Sequence, residues 1–409
     1  MNTMGKSMKY RNIVRGFTLT ELLVVISIIG MLMALLVPAV TGARNRARIA
    51  QCANNLHELA SGVQQYDLEK GSFPGSAEYV NSMVTNWVIM VFPYIGQVNL
   101  WNGWRNPANN AAPWNVYSRF GSPPPRISQL VCPADAAPEM CPLSYVANCG
   151  MRDGIVGGST LGLTAAQNSN GGNNPVPPDW PANGIFHNHC WYAASSSNPN
   201  YGVGKNGVHP TCQVRMSAGD VKDGLTNTLM LSENIQAGEY TEPYTSGNGS
   251  YLPGGSVGAL STIVEVYTGM LFYVPATKGS TPPTYATYVP TPPGTLTVDS
   301  PLVFPINVAK AVTADGNLVL SRPAYHDAQT YPFSRPSSMH TGGVNAAFCD
   351  GHTQFVRENV DPLVYFQLMT PDDQNFRPAG SQVQVSNADG YSYYRQNLAP
   401  LSAGSYSNP

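Results

Sequence analysis

The sequence predicts an α+β protein: one long N-terminal α-helix, membrane-like in its first half and amphipathic in its second, then an antiparallel β-rich globular head. Three observations carry this. Residues 22–40 hold no charge, and a bilayer crossing needs ~20 apolar residues. From Ile49 to Tyr66 apolar residues return every three and four positions, the spacing of one helix face. Beyond Gly71 the chain turns to Gly, Pro, Asn and aromatics, with short β-like runs between turn signals.

Taken in order, residues 1–16 carry Lys6, Lys9, Arg11 and Arg15 and no acid. They read as a targeting leader, outside the fold. Residues 17–40 form the membrane helix and 41–70 its amphipathic continuation. Pro38 and Gly42 predict a kink or local melting between the two. Ile49, Cys52, Ala53, Leu56, Leu59, Ala60, Val63 and Tyr66 face the head, with Arg46, Asn54, Glu58 and Gln65 outward. Lys70-Gly71, with Pro74 beyond, stops the helix. At ~1.5 Å per residue such a helix outruns a membrane, and the surplus joins the head to other helices.

The head occupies residues 71–374. Trp87 and the run Val91–Ile95 begin its core; Trp101, Trp104 and Trp114 follow among Asn and Pro. Such a stretch fits a carbohydrate platform or a loop-rich core, and core filling is the reading adopted. Residues 153–183 read as a loop, and 275–294 as a Pro/Thr-rich insertion between two apolar patches. Asp223-Gly224 leads into a strand at Thr228–Leu231. Val344–Cys349, Asp350-Gly351 and His352–Val356 form the clearest hairpin signal. Asp361 caps a short helix, Pro362–Met369, and residues 375–409 are a polar tail.

Composition narrows the function. Charged residues are only 11% and Gly and Pro number 39 and 35, which suits an extracytoplasmic, loop-rich domain. Without the leader, 18 basic residues face 24 acidic ones, a net charge of −6. Arg44, Arg46 and Arg48 lie just past the apolar span, where lipid head groups would meet them. Nothing points to nucleic acid. The leader's charge keeps the N-terminus cytoplasmic and sends the head across the membrane. Of seven cysteines, Cys52 falls on the helix and six lie in the head. Six cysteines allow 15 pairings; the local pairs Cys132–Cys141 and Cys190–Cys212 are the ones expected.

Glu21 stands just inside the apolar run, and a carboxylate there needs a partner. The stretch Arg15-Gly16-Phe17-Thr18-Leu19-Thr20-Glu21 resembles the N-terminus of type IV pilins and type II secretion pseudopilins. The resemblance implies cleavage after Gly16 by a prepilin peptidase, N-methylation of Phe17, and an assembly role for Glu21. The ammonium made at Phe17 would lie one helical turn from Glu21 and offset its desolvation. A secretory signal peptide explains the basic leader but not Glu21; a plain anchor explains neither Gly16-Phe17 nor Glu21.

His340, nine residues and Asp350-Gly351 match the H-x9-DG signature. It marks the C-terminal domain of a large prepilin-like bacterial family of unassigned biochemical function. Arg335–Ser338, Gly342-Gly343, Asn345, Phe348, the SYVAN run at Ser144, the CPAD run at Cys132 and the DGLTNT run at Asp223 resemble that family too. The long insertion and extra cysteines depart from it.

Three clusters carry possible chemistry. His340, Asp350 and His352 have metal or acid–base types, but turn shaping accounts for them. Asp350 and Asn345 lack regular calcium-ligand spacing. His187, His189, Cys190, His209 and Cys212 are zinc-like residues, though a disulfide with ordinary histidines is the expectation outside the cytoplasm. No catalytic motif stands in a usable context. The reading is therefore structural: no enzyme, no cofactor, no metal. The chain is expected to be a pseudopilin-like subunit of a type II secretion or type IV pilus-like assembly. Its partners would be the prepilin peptidase, the N-methyltransferase, pilin-like subunits and the cytoplasmic membrane. The other reading is a membrane-tethered, glycan-binding module that does not polymerise.

Overall fold

The computed structural model describes residues 18–80, 83–105, 125–135, 142–151, 181–182, 184–187, 189, 214–235, 237–241, 268–272, 306, 311–312, 318–319, 336–360 and 362–372. Helix α1 runs from Leu19 to Lys70, 52 residues. The chain divides into two units, residues 1–47 and 48–409, and α1 contributes to both. The helix continues through Pro38 and Gly42, so the expected local melting is not there. Pro38 supplies no N–H to the turn before it; just beyond it, the Thr41 hydroxyl donates to Val37 O and Pro38 O (3.1 and 2.9 Å). Within 48–70, Cys52, Leu56, Leu59, Ala60, Gly62, Val63 and Tyr66 are buried, while Asn54, Glu58 and Gln65 face water. Gly71, at φ +74, ends the helix, its N–H donating to Asp67 O at 2.7 Å. That left-handed position favours glycine.

After a short ladder of β1 (Ala77–Val80) and β2 (Met83–Asn86), Asn86 caps α2 (Trp87–Val91), its Oδ1 accepting from Val88 N and Ile89 N. A 3-10 turn at Phe92–Ile95 leads to α3 (Val98–Arg105). Trp87 and Trp104 are fully buried, and Trp87 Nε1 donates to Thr268 O at 2.9 Å. Core filling accounts for both; Trp114 lies outside the described residues. Gly62 lets this segment approach α1, since a Cβ there would stand 2.7 Å from Val91 Cγ1 and 2.8 Å from Ile95 Cγ2.

The main sheet comprises β3 (Tyr145–Met151), β4 (Leu229–Glu233), β5 (Gly269–Phe272), β8 (Gly343–Phe348) and β9 (Thr353–Arg357), ordered β5-β3-β4-β8-β9. A separate pair joins β6 (Ala311–Val312) to β7 (Leu318–Val319). All pairings are antiparallel except β3 with β5, which is parallel. This departs from the antiparallel expectation: over a hundred residues part the two strands, and parallel pairing needs such a crossover. β4 and β8 are buried at every position, as central strands covered on both faces must be. Helix α4 (Pro362–Met369) follows; its Asp361 cap lies outside the described residues, as do residues 153–180, the 275–294 insertion and the 375–409 tail.

The β8–β9 turn is one residue longer than Asp350-Gly351 alone predicts. Phe348 N donates to His352 O and Gly351 N to Phe348 O. Three residues close the loop, with Gly351 at φ +88, as in a type I turn ending in a left-handed residue.

Candidate functional site

Two constellations carry the chemistry-bearing residues. The first is at the start of α1. Thr18 N and Thr18 Oγ1 donate to Glu21 Oε2 at 2.9 and 2.7 Å, and Glu21 N donates to Thr18 Oγ1 at 3.3 Å. This reciprocal pairing is a capping box. Its sequence signal is Thr18-x-x-Glu21. Gly16 and Phe17 lie outside the described residues. Past this box every side chain from Leu19 to Arg48 is exposed. Among the described residues α1 alone is long and apolar enough to cross a membrane.

The second is buried in the head, where four distant segments meet. Cys52 on α1 is bonded to Cys132, with Cα atoms 5.1 Å apart and a sequence separation of 80. The expected Cys132–Cys141 pair is thereby corrected. Cys52 belongs to the buried stripe of α1, and Asn55 on the same helix donates to Val131 O at 3.2 Å, bringing the Cys132 segment against it. Cys141, Cys190 and Cys212 lie outside the described residues. Beside the disulfide, His340 Nε2 is 3.5 Å from Cys132 Sγ and 3.2 Å from Glu233 Oε1. Asn345 N donates to Glu233 Oε2 (2.8 Å) and Asn345 Nδ2 to Glu233 Oε1 (3.1 Å). All five residues are buried. Ser338 Oγ accepts from His340 N at 3.1 Å and donates to Gly343 O, which fixes the loop before β8. Ser337 Oγ donates to Asn234 Oδ1 at 2.9 Å.

The structure divides His340 from Asp350-Gly351. They stand at opposite ends of β8, about 20 Å of strand apart. Asp350 Oδ1 accepts from His352 N at 3.1 Å and pairs with His352 Nδ1, and the His352 ring stacks on Phe348, centroids 4.3 Å apart. Turn shaping accounts for this end. Helix α1 reads it too: His57 Nδ1 lies 2.8 Å from Gly351 O, and Gln64 Nε2 donates to Cys349 O at 3.1 Å. A Cβ on Gly351 would press on the Gln64 amide at 2.9 Å.

The zinc-like histidines have separate partners. His187 Nε2 meets Gly184 O at 2.9 Å, and burial pushes its pKa down to about 4. His189 Nδ1 pairs with Glu78, and its Nε2 meets Val214 O. Burial works against ionisation of Glu78, but the His189 charge and the Gly75 N–H hold its carboxyl below the usual value. His209 lies outside the described residues. Asn148 is a further hub that the sequence did not single out: its Nδ2 donates to Leu229 O and Met369 O, joining β3, β4 and α4.

Comparison with known proteins finds matches over the front of the chain and over the head. Residues 11–37 match the family model described as "Prokaryotic N-terminal methylation motif". Similar relatives are "Type II secretion system core protein G" of Pectobacterium carotovorum subsp. carotovorum, 33% identical over 92 residues, covering 22% of this chain and 57% of the relative. The protein of the same name from Escherichia coli (strain K12) is 34% identical over 70 residues, 17% of this chain and 48% of the relative. That of Pseudomonas aeruginosa is 30% identical over 69 residues, 17% and 49%. The chain thus spans about half the length of the curated relatives it matches. No solved structure matches it. A second model, "Protein of unknown function (DUF1559)", matches residues 41–363, most of the chain and nearly all of the head. The chain belongs to this DUF1559 family and carries at its front the N-terminal methylation motif of pilin-like proteins.

Proposed function

We propose that the chain is cut after Gly16 by a prepilin peptidase, methylated at Phe17, and then built as a structural subunit into a pseudopilus or pilus-like assembly. One observation carries the reading: the charge-free, solvent-exposed helix surface of residues 22–40, headed by Glu21. So large an apolar surface needs covering; lipid covers it before assembly and neighbouring helices after it. Gly30, with open space around it, allows close helix approach, as does Ala34. The four basic leader residues hold the N-terminus in the cytoplasm and the head outside it. Similarity to type II secretion core protein G supports an assembly of that class. The role is structural, not enzymatic. Trp87 and Trp104 are buried, so neither offers a stacking face to sugar.

Mass spectrometry of the protein from its host tests the processing step. A mature chain beginning with methyl-Phe17 is expected. Retention of Met1 through Gly16 would overturn the reading, and a start near Arg44 would establish ordinary secretion.

A further inference from the structure

We propose that the reduced head holds a zinc-class divalent cation between Cys52, Cys132, Glu233 and His340, and that the Cys52–Cys132 disulfide is the closed state of that site. The four residues offer two sulfurs, one imidazole nitrogen and one carboxylate oxygen, and these atoms lie within 4.8 Å of one another. All four are buried, Cys52 fully, Glu233 at 1% and His340 at 5% exposure. Such a donor set suits tetrahedral zinc, with bonds of ~2.0–2.3 Å and so ligand–ligand edges of about 3.3–3.8 Å. Two edges already stand close to that: His340 Nε2 to Cys132 Sγ at 3.5 Å and to Glu233 Oε1 at 3.2 Å. The sulfur–sulfur edge is too short, because a covalent bond occupies it, and the remaining edges lie within 4.8 Å. Breaking the bond lets the sulfurs part and the four donors settle toward a tetrahedron.

The shell around the ligands is also in place. Asn345 donates to both oxygens of Glu233, and Ser338 holds the His340 backbone. Ligands oriented by such partners are what a metal site requires. Two thiolates and one carboxylate carry three negative charges, and a divalent cation leaves one. In chain terms the ligands are α1, the segment after the 128–130 turn, the end of β4 and the loop before β8. The cation would therefore clamp the same segments as the disulfide.

The exchange balances. A dithiol reductant breaks the Cys52–Cys132 bond by two thiol–disulfide exchanges, closes to its own disulfide, and leaves two thiols. The cation then displaces both thiol protons to water. The reverse needs loss of the cation and a two-electron oxidant of the disulfide class. The inference is independent of the assembly reading.

The test uses the detergent-solubilised full chain, unfolded and reduced with a phosphine, then refolded anaerobically with Co2+. Thiolate-to-cobalt charge-transfer bands count the sulfur ligands. We expect one Co2+ per reduced chain, a tetrahedral spectrum and two thiolates, with no binding by the oxidised chain. Cys52→Ser should leave one thiolate. His340→Gln should weaken binding at least tenfold, the scale at which even outer partners matter. His340→Cys should restore it with three thiolates, which separates a lost ligand from a lost fold. No binding by the reduced chain, folded or not, overturns the proposal. So does a thiolate count unchanged in Cys52→Ser, since the metal would then sit on other cysteines.

Discussion

The two halves of α1 share one helix and little else. From Leu19 to Ala47 every side chain is exposed, and the polar contacts are local: Glu21 to Thr18, Ser27 to Leu23 O, Thr41 to Val37 O. From Arg48 to Lys70 exposure alternates with burial, and the contacts reach far along the chain, from Cys52 to Cys132 and from His57 to Gly351. The first half makes only local polar contacts and leaves its apolar side chains exposed. The second half is a core element of the head. Helix propensity does not distinguish them; the pattern of apolar positions does.

The largest way to break this contrast is to cut the covalent link of the second half. The disulfide closes a loop of 80 residues, and in the chain-entropy picture that is worth about 4.5 kcal/mol. Cys132→Ala, kept free of added metal, should lower head stability by about 2–5 kcal/mol in urea unfolding followed by tryptophan fluorescence. A change under about 1 kcal/mol would mean that packing alone docks the helix.

Next in size is a pair of matched truncations. Leu59→Ala removes a fully buried side chain and should cost about 2–5 kcal/mol. Leu32→Ala removes one that is 62% exposed and should change head stability by less than about 0.5 kcal/mol. Equal effects would erase the difference between the halves. Gly62→Val sharpens it, because the new methyls would drive into Val91 and Ile95.

These residues also mark how far the sequence could be read. The stripe from Cys52 to Tyr66, the stop at Gly71, the β8–β9 hairpin and α4 all rest on local signals and were legible. The parallel β3–β5 pair was not, because no short-range pattern announces which strand a distant segment will join. Glu233 is the clearest miss: it sits 107 residues from His340, inside an apolar run that reads as a plain strand. Cys52 was half legible. Its place on the buried face was read correctly, yet nearness in sequence favoured Cys141 for Cys132, when spatial nearness across the helix decides.

Acid should destabilise the head. His187 has its pKa pushed down to about 4 by burial, against about 6.5 in an unfolded chain. Between those values the unfolded state binds more protons, so stability falls as pH drops from about 6.5 to about 4, by up to about 3 kcal/mol. Glu78 works in the same direction: its lowered pKa gives stability that is lost as pH falls below the ordinary carboxylate range. His187→Gln should flatten the upper part of this loss. Thermal melts at pH 7 and pH 5 check it, and a melting point that does not fall toward pH 5 would contradict the buried neutral imidazole.

The smallest effect separates the two roles of Glu21. As half of a capping box it supports the helix start. As an assembly residue it receives the ammonium of Phe17, one residue before Thr18. Thr18→Ala removes the hydroxyl of the box and leaves the carboxylate, whereas Glu21→Ala removes both functions. If capping were the whole role, both variants would assemble alike. If the carboxylate awaits the new amine, Thr18→Ala should enter assemblies near the normal level. Glu21→Ala, still in the membrane, should then be recovered at least about tenfold less, since each 1.4 kcal/mol of lost association is tenfold. Equal recovery of the two variants in sheared assemblies would return Glu21 to the helix cap.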